Sequence, residues 1–328
     1  MLEYLMGAVR ADFLGSSIWM WLVFLAVVIT LLAFDLGILH KNNKEISIKE
    51  SLLLSTGYII VALLFGTWIW HTLGSESGIN YMTGFFVEKS LSLDNIFVIS
   101  LIFSYFAVPR IYQHRVLFWG ILGVIILRGL MIALGAALVT EFGWILYIFG
   151  GFLIVTGLKM MFVSGKEPDL ADNMMLKFLK NHIPVTDKLH DERFTVSVLN
   201  PANGKTRLMA TPLLLALVMV ECADIVFAVD SIPAIFAITT DPFIVYTSNI
   251  FAILGLRALY FALASMVNRF AYLKFALAAV LVFIGGKIFW NHFVGKIDPI
   301  FSLAVTLLLL AGGVVVSILN TRRLSVTP

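Results

Sequence analysis

The sequence has little charge and almost no cysteine. Of its 328 residues, 13% are charged and 60% are hydrophobic, and the mean hydropathy is +0.97. A soluble domain of this size could not cover so much apolar surface with so few charges. The single cysteine, Cys222, excludes an internal disulfide and a cysteine-rich metal cluster. The net charge of +3 is small, so nucleic acid is not expected as a partner. The composition predicts an integral membrane protein.

Apolar segments follow one another along nearly the whole chain. Those long enough to cross a bilayer as helices, named spans 1 to 9 here, cover residues 18–39, 52–72, 81–106, 116–139, 143–163, 208–238, 243–267, 272–291 and 299–319. The predicted fold class is therefore an all-α membrane protein with about nine transmembrane helices.

Lysine and arginine are missing from alternate connections between these spans. Segments 71–80, 140–143 and 239–242 contain neither residue, whereas the connections after spans 1, 3, 5 and 7 contain both or one of them. Positively charged connections stay in the cytoplasm. The pattern predicts the N-terminus outside and the C-terminus inside, with Lys296 as the one exception.

Two of the spans contain carboxylates, which a bilayer disfavours. Residues 88–95 read Glu-Lys-Ser-Leu-Ser-Leu-Asp-Asn, and residues 221–233 read Glu-Cys-Ala-Asp-Ile-Val-Phe-Ala-Val-Asp-Ser-Ile-Pro. Both contain the same frame: an acid, five residues, Asp, a small polar residue and, in the next position, Ile. An ionised carboxylate at mid-bilayer costs roughly 3 kcal/mol on the insertion scale, and such residues usually mark an ion site or a polar pathway.

The repeated frame belongs to a larger repeated unit. The segment Ile126-Leu-Arg-Gly-Leu in span 4 resembles Leu254-Gly-Leu-Arg-Ala-Leu in span 7, and a Gly/Lys pair follows each at a similar distance. Spans 3–5 therefore match spans 6–8. Because each unit has three spans, the second must enter the membrane from the opposite side, which predicts an inverted repeat with a substrate site near the midplane. The predicted divisions are an N-terminal two-helix segment (1–80), a first repeat (81–163), a cytoplasmic loop (164–207), a second repeat (208–291) and a C-terminal helix with its tail (292–328).

The candidate metal ligands in the two frames all offer oxygen atoms: Glu88, Asp94, Asn95, Glu221, Asp224, Asp230 and Ser231. Oxygen ligands suit magnesium, calcium or manganese. None of the six histidines lies in the middle of a span, so a dedicated zinc or copper site is not expected. The number of acids exceeds what one divalent cation needs, which leads to the hypothesis that metal movement is coupled to protons.

The two acids of each frame cannot face one ion on a straight helix. On an ideal helix, Asp94 and Asp230 point about 120° away from the first acid of their own frame. Either there are two sites or the helices unwind at these positions, and Pro233 makes unwinding plausible in the second copy. Ion pairing is the alternative, because Arg128 and Arg257 lie near the centres of spans 4 and 7 and could neutralise two acids.

These residues resemble the TerC family of bacterial and plastid membrane proteins, most closely its Alx-type members. The two acidic frames and the stretch from Thr239 to Arg257 carry the resemblance, which extends over nearly all of the membrane part. It implies a multi-pass protein of the bacterial inner membrane, a fold like that of the LysE-type exporters, and export of Mn²⁺ from the cytoplasm. It also implies a role for the five intramembrane acids, which are Glu88, Asp94, Glu221, Asp224 and Asp230.

We therefore expect a secondary transporter that exports Mn²⁺ as its substrate and needs no cofactor. The chain has no Gly-x-x-x-x-Gly-Lys-[Ser/Thr] run for nucleotide binding, so energy must come from the membrane gradient or an outside partner. It has no Gly-x-Gly-Asp run of an intramembrane aspartyl hydrolase, and we do not expect an enzyme.

A second hypothesis concerns the polar segment 164–207. We expect a solvated cytoplasmic linker there, with a short amphipathic piece around residues 174–179. Some members of the family are named for tellurium resistance. The alternative function is therefore a membrane assembly or stress-resistance scaffold that docks a partner protein through this loop.

Overall fold

The computed structural model describes residues 12–39, 47–162, 174–186, 188–199, 206–263 and 273–324. The helices of this part are α1 (Ile18–Leu39), α2 (Ile48–Leu73), α3 (Ser75–Tyr105), α4 (Arg110–Glu141), α5 (Ile145–Phe162), α6 (Met174–His182), α7 (Pro212–Phe236), α8 (Pro242–Leu263), α9 (Leu273–Phe293) and α10 (Pro299–Leu324). Two antiparallel hairpins complete it: β1 (Asp12–Phe13) with β2 (Ser16–Ser17), and β3 (Thr195–Leu199) with β4 (Thr206–Ala210).

Most of the helices have the length and composition of membrane spans. Within the described residues, seven are long and apolar enough to cross a bilayer: α1, α2, α4, α5, α7, α9 and α10. The helix α3, at 31 residues, is longer than most of these, but it contains the first acidic frame. The helix α8 has 22 residues, of which the apolar part is Pro242–Leu256. The predicted all-α multi-pass architecture is confirmed, whereas the count of nine spans and their orientation stay predictions.

The outer surface of the bundle is apolar. Leu53, Ile126, Val155 and Leu308 lie on four different helices and are between 65% and 74% exposed. Exposed apolar area on this scale is unfavourable in water. In a bilayer these apolar side chains contact lipid instead of water. The hydrogen bonds within each helix pair the backbone N–H and C=O groups, which lipid cannot do.

Local sequence signals explain where several helices begin. Ser47 and Glu50 form a capping box at the start of α2, in which each side chain accepts a hydrogen bond from the backbone N–H of the other residue. The helices α7, α8 and α10 begin at Pro212, Pro242 and Pro299. Proline suits this position because its missing N–H would have no partner within the helix anyway.

The contacts between helices agree with the predicted repeat. The helix α3 packs against α8, and α4 packs against α7. In the predicted repeat, α3 corresponds to α7 and α4 corresponds to α8. The contact of α3 with α8 therefore corresponds to the contact of α7 with α4. The third helices of the two units, α5 and α9, pack against each other, with Gly150 and Gly157 of α5 close to the backbone of α9. The inverted repeat itself, with the rotation that would relate the two units, stays a prediction.

Unwinding of the helices, one of the two alternatives for the acidic frames, is not observed. The helices α3 and α7 do not unwind at residues 94–95 or 230–231, because each is continuous through its acidic frame. Pro233 lies only three residues before the last residue of α7, and the N–H of Ala237 still bonds to its carbonyl oxygen. One missing hydrogen bond so near a helix end does not break the helix.

The described part of segment 164–207, which was predicted to be a solvated cytoplasmic linker, contains a helix and most of a hairpin. The predicted amphipathic piece is confirmed as α6, whose residues Leu176 and Leu179 are buried. The hairpin β3–β4 was not predicted, and together with β1–β2 it departs from a purely helical fold. Arg115 of α4 binds Glu192 at 2.8 Å, which attaches this segment to the helix bundle.

Candidate functional site

A buried arginine lies at the centre of the bundle. Arg128 of α4 has no exposed surface. Its Nε and Nη2 atoms donate to the two carboxylate oxygens of Asp224 at 3.1 and 2.9 Å, as a bidentate pair. Its Nη1 atom donates to Glu88 of α3. Arg128 therefore joins the first acid of one frame to an acid of the other, and this part of the predicted ion pairing is confirmed.

Two neutral side chains complete the network. Nη1 of Arg128 also donates to Asn249 Oδ1 at 2.6 Å and to Ser231 Oγ at 3.3 Å. The amide nitrogen of Asn249 donates to the second oxygen of Glu88 at 3.1 Å. All four oxygens of Glu88 and Asp224 thus accept a hydrogen bond from the protein. Two carboxylates share one guanidinium, so the cluster carries a net negative charge when both acids are ionised.

A central cavity of about 200 Å³ lies beside this cluster. This volume is far more than the roughly 15 Å³ that one water molecule requires. The oxygen donors in its wall come from both acidic frames, with Glu88 and Asn95 on α3 and Asp230 and Ser231 on α7. The remainder of the wall is formed by Leu91, Arg128, Met160, Phe227 and Leu281.

Two polar atoms of α3 have no partner near this cavity. The Oδ1 atom of Asn95 and the hydroxyl of Ser92 are buried and form no hydrogen bond with the described residues. Buried polar atoms are nearly always satisfied, so each unpaired one indicates a missing ligand or water. Asn95 lines the central cavity and also a second one of about 40 Å³, which Asp224 lines on its other side.

Asp230 lines the central cavity and is less buried than Glu88, the other acid in its described wall. It is half-buried and forms no ion pair within 4.0 Å among the described residues, although Lys159 is near enough to interact with it electrostatically. The side chain of Asp94 lies outside the described residues, as does that of Arg257. The predicted ligand role of Asp94 therefore stays a prediction, and so does the pairing of Arg257.

Glu221 lies away from the central cavity. Its carboxylate occupies a niche against Gly120 and Gly123 of α4, where a Cβ atom on Gly123 would overlap it. Its Oε2 atom is buried and has no hydrogen-bond partner in the part of the chain that the structure describes. The prediction that Glu221 assists the ligands of one site is not supported by this placement, because packing against α4 turns it away from Asp230.

A wide vestibule of about 860 Å³ lies at one end of the bundle, bordered by the connections that contain little lysine or arginine. Its charged lining residues are the acids Glu76 and Asp298 and the lysines Lys287 and Lys296. The helices α3, α7 and α9 each line both the vestibule and the central cavity. Between these two positions, each helix has a buried apolar residue: Val87 of α3, Ala234 of α7 and Ile284 of α9. This apolar layer separates the vestibule from the central cavity.

The predicted ligands are only partly brought together. Glu88, Asn95, Asp230 and Ser231 line one cavity, whereas Asp224 faces the smaller cavity and Arg128. Among the described residues, no three His, Cys, Asp or Glu side chains are grouped closely enough to hold a metal ion. The guanidinium of Arg128 lies between Glu88 of α3 and Asp224 of α7 and bonds to both.

Asn249 is a site residue that the sequence reasoning missed. The run Thr247-Ser248-Asn249 is fully buried in the middle of α8. Three consecutive polar residues within an apolar helix were the available signal, but they lie outside both acidic frames.

The comparisons with known proteins agree with this architecture. The pattern described as "Integral membrane protein TerC family" matches residues 73–325. The chain belongs to the TerC family. The match covers α3 to α10 together with the residues of the buried network, so the resemblance seen in the acidic frames is confirmed at the level of the family.

Bacterial relatives of this TerC-family chain match it over most of its length. A Rickettsia felis protein named "Uncharacterized membrane protein" is 49% identical over 304 residues, which are 93% of this chain and 99% of the relative. A Photorhabdus laumondii protein named "Putative membrane-bound redox modulator Alx" is 43% identical over 310 residues, 90% and 95% of the two chains. A Salmonella typhi protein of the same name is 46% identical over 277 residues, 82% and 84%. No solved structure matches the chain.

Proposed function

We propose that the protein is a secondary transporter that exports a divalent metal ion, with Mn²⁺ as the first candidate, across a bacterial inner membrane. The observation that carries the proposal is the central cavity, where Asn95 and Asp230 present oxygen atoms from both acidic frames. Asn95 has an unpaired oxygen, and Asp230 forms no close ion pair among the described residues. These are donors that a hard dication prefers.

The separation of cavity and vestibule supports transport by alternating access. A transporter must expose its site to one side of the membrane at a time, and an apolar layer between cavity and vestibule is suited to such a barrier. With the N-terminus outside, as the loop charges predict, the vestibule would face the exterior and serve as the exit. The inner half of the bundle contains the smaller cavity, which Asn95 also lines.

Metal flux through reconstituted protein tests the proposal. The full-length protein is incorporated into liposomes loaded with Mn²⁺, and release is followed with a metal-sensitive dye outside. We expect Asp230→Asn to reduce the rate about tenfold or more, because it removes a charge from the cavity wall. Asp191→Asn is the matched control, since Asp191 is exposed and lines neither the two cavities nor the vestibule. Asn also tolerates the positive φ of 48° at this position.

Two results would contradict the proposal. Equal Mn²⁺ release from protein-containing and protein-free liposomes would remove metal transport. Equal release by the wild-type protein, Asp230→Asn and Asp94→Asn would leave transport in place but remove the proposed site.

Two of the relatives are named "Putative membrane-bound redox modulator Alx", so a redox role is also considered. The single cysteine, Cys222, is half-buried on α7 and cannot form a disulfide within the chain. A transported metal that changes its oxidation state would connect metal export with redox modulation. Fe²⁺ therefore belongs beside Mn²⁺ among the ions tested in the liposome assay.

A scaffold function is the second candidate, and the order of the cytoplasmic segment favours it. In addition to the ion pair with Glu192, Arg115 places its guanidinium 5.5 Å from the ring centre of Phe194. The exposed Phe178 on α6 would then be available to a partner protein. Replacing residues 164–207 by a flexible linker separates the two functions, because a scaffold would lose its cellular phenotype while metal release continued.

A further inference from the structure

The carboxylate of Glu221 has no role in the network described above. Its Oε2 atom is buried and unpaired among the described residues, inside a helix that crosses the bilayer. An acid in this position is costly and is normally retained for a functional reason. The niche depends on Gly123, because a Cβ atom there would overlap the carboxylate, whereas a Cβ atom on Gly120 would lie 3.7 Å away in ordinary contact.

Glu221 lies about one turn of α7 before Asp224, the residue that pairs with Arg128. The helices α4 and α7 run parallel, because Gly120 lies next to Val220 and Gly135 lies next to Phe236. Side chains lean toward the N-terminal end of their helix, which explains how Arg128 meets Asp224. Glu221 precedes Asp224 by three residues, so it lies on the same side of α7, about 4.5 Å further along that direction.

A metal ion in the central cavity would compete with Arg128. The guanidinium is part of the cavity wall, so its positive charge repels a dication inside the cavity. It also donates hydrogen bonds to both carboxylate oxygens of Asp224 and to one oxygen of Glu88, and Asn249 donates to the other oxygen of Glu88. Arginine does not lose its proton in proteins. If it leaves these acids inside the bilayer, it requires another carboxylate.

We propose that Glu221 is a second docking position for Arg128, and that the guanidinium moves there from Glu88 and Asp224 when a metal ion enters the central cavity. This inference rests on the proposed transport function. Arg128 acts as an internal cation that holds α3 and α7 together in the empty protein. Its transfer frees Glu88, which lines the central cavity, for the metal and releases Asp224, which lines the smaller cavity. The guanidinium then pairs with the carboxylate of Glu221. Glu221 is thus a positioning residue for the transport cycle and not a metal ligand.

The test separates metal binding from turnover. Equilibrium binding of Mn²⁺ to purified full-length protein and the maximal Mn²⁺ flux in liposomes are measured for the wild type, Glu221→Gln and Gly123→Ala. The first variant keeps the size of the side chain and removes the charge, and the second fills the niche. Gly151→Ala is the matched control, since a Cβ atom there meets nothing within 4 Å.

We expect Glu221→Gln and Gly123→Ala to keep the Mn²⁺ affinity within about twofold and to lower the maximal flux about tenfold. Gly151→Ala should change neither quantity. Wild-type flux in Glu221→Gln would overturn the proposal. Loss of Mn²⁺ binding in Glu221→Gln would also overturn it, by making Glu221 a ligand, while metal transport would stand. A wild-type protein that neither binds nor moves Mn²⁺ would remove the transport function itself, and the exchange with it.

Discussion

Replacing Arg128 by methionine should destabilise the protein far more than an ordinary surface substitution does. Glu88 and Asp224 are 2% and 7% exposed, and Arg128 is the cation that pairs with both in the described structure. Methionine has a similar length and no charge, so Arg128→Met would leave two buried carboxylates without their counter-ion. Only the bond from Asn249 to Glu88 would remain.

The magnitude follows from the burial of the pair. Removing one partner of a buried ion pair costs roughly 3–5 kcal/mol, because the other charge is left uncompensated. At about 2–4 °C per kcal/mol for a large domain, the midpoint of thermal unfolding should fall by on the order of 10 °C. Neutralising both acids in the same chain, as Glu88→Gln with Asp224→Asn, should recover most of this loss.

The assay is thermal unfolding of the purified protein in detergent. Arg115→Met is the matched control on the same helix, because Arg115 also forms an ion pair, but its side chain is 38% exposed. An exposed pair contributes only about 0–1 kcal/mol. Equal losses for Arg128→Met and Arg115→Met would refute the reasoning, and so would a triple variant no more stable than Arg128→Met alone.

Two further predictions concern packing and selectivity. Gly157→Ala should destabilise the contact between α5 and α9 by about 1–3 kcal/mol, because the new Cβ atom would lie 2.7 Å from the carbonyl oxygen of Ala278; Gly151→Ala, on the open side of α5, should leave the unfolding midpoint unchanged. Met160 lines the central cavity, and its thioether is a softer donor than oxygen. Met160→Leu should therefore lower the preference for Mn²⁺ over Ca²⁺ in competition flux assays, and an unchanged ratio of the two rates would contradict this role.

The acidic frames indicated the region of the site before any contact was known. Glu88, Asn95, Asp230 and Ser231 do line one cavity, as a repeated polar frame within apolar helices predicts. The frames could not indicate which acids would be neutralised. A single arginine near mid-span has several acids within possible reach, and only the depth and rotation of each helix select Glu88 and Asp224 as its partners.

Unwinding at residues 94–95 and 230–231, one of the two alternatives that the acidic frames left open, is not observed, for a related reason. Considered alone, each helix directs its two acids to different sides, and breaking the helix seemed necessary to bring them together. In the structure the helices stay intact, and the long side chain of Arg128 reaches Asp224 and Glu88 while Asp230 faces the cavity. Arg128 of α4 joins acids of α3 and α7, so neither of these two helices has to unwind.

The sequence alone determined the class of the protein and its family, because lipid solvation acts on each apolar segment separately and the acidic frames are local patterns. It also located the polar residues along the chain. Tertiary structure decided what those residues do: it paired Arg128 with two acids and brought in Asn249, which is 161 positions from Glu88. It also placed Glu221 in a niche of α4. These relations depend on how helices far apart in the chain pack against one another, and no single segment contains that information.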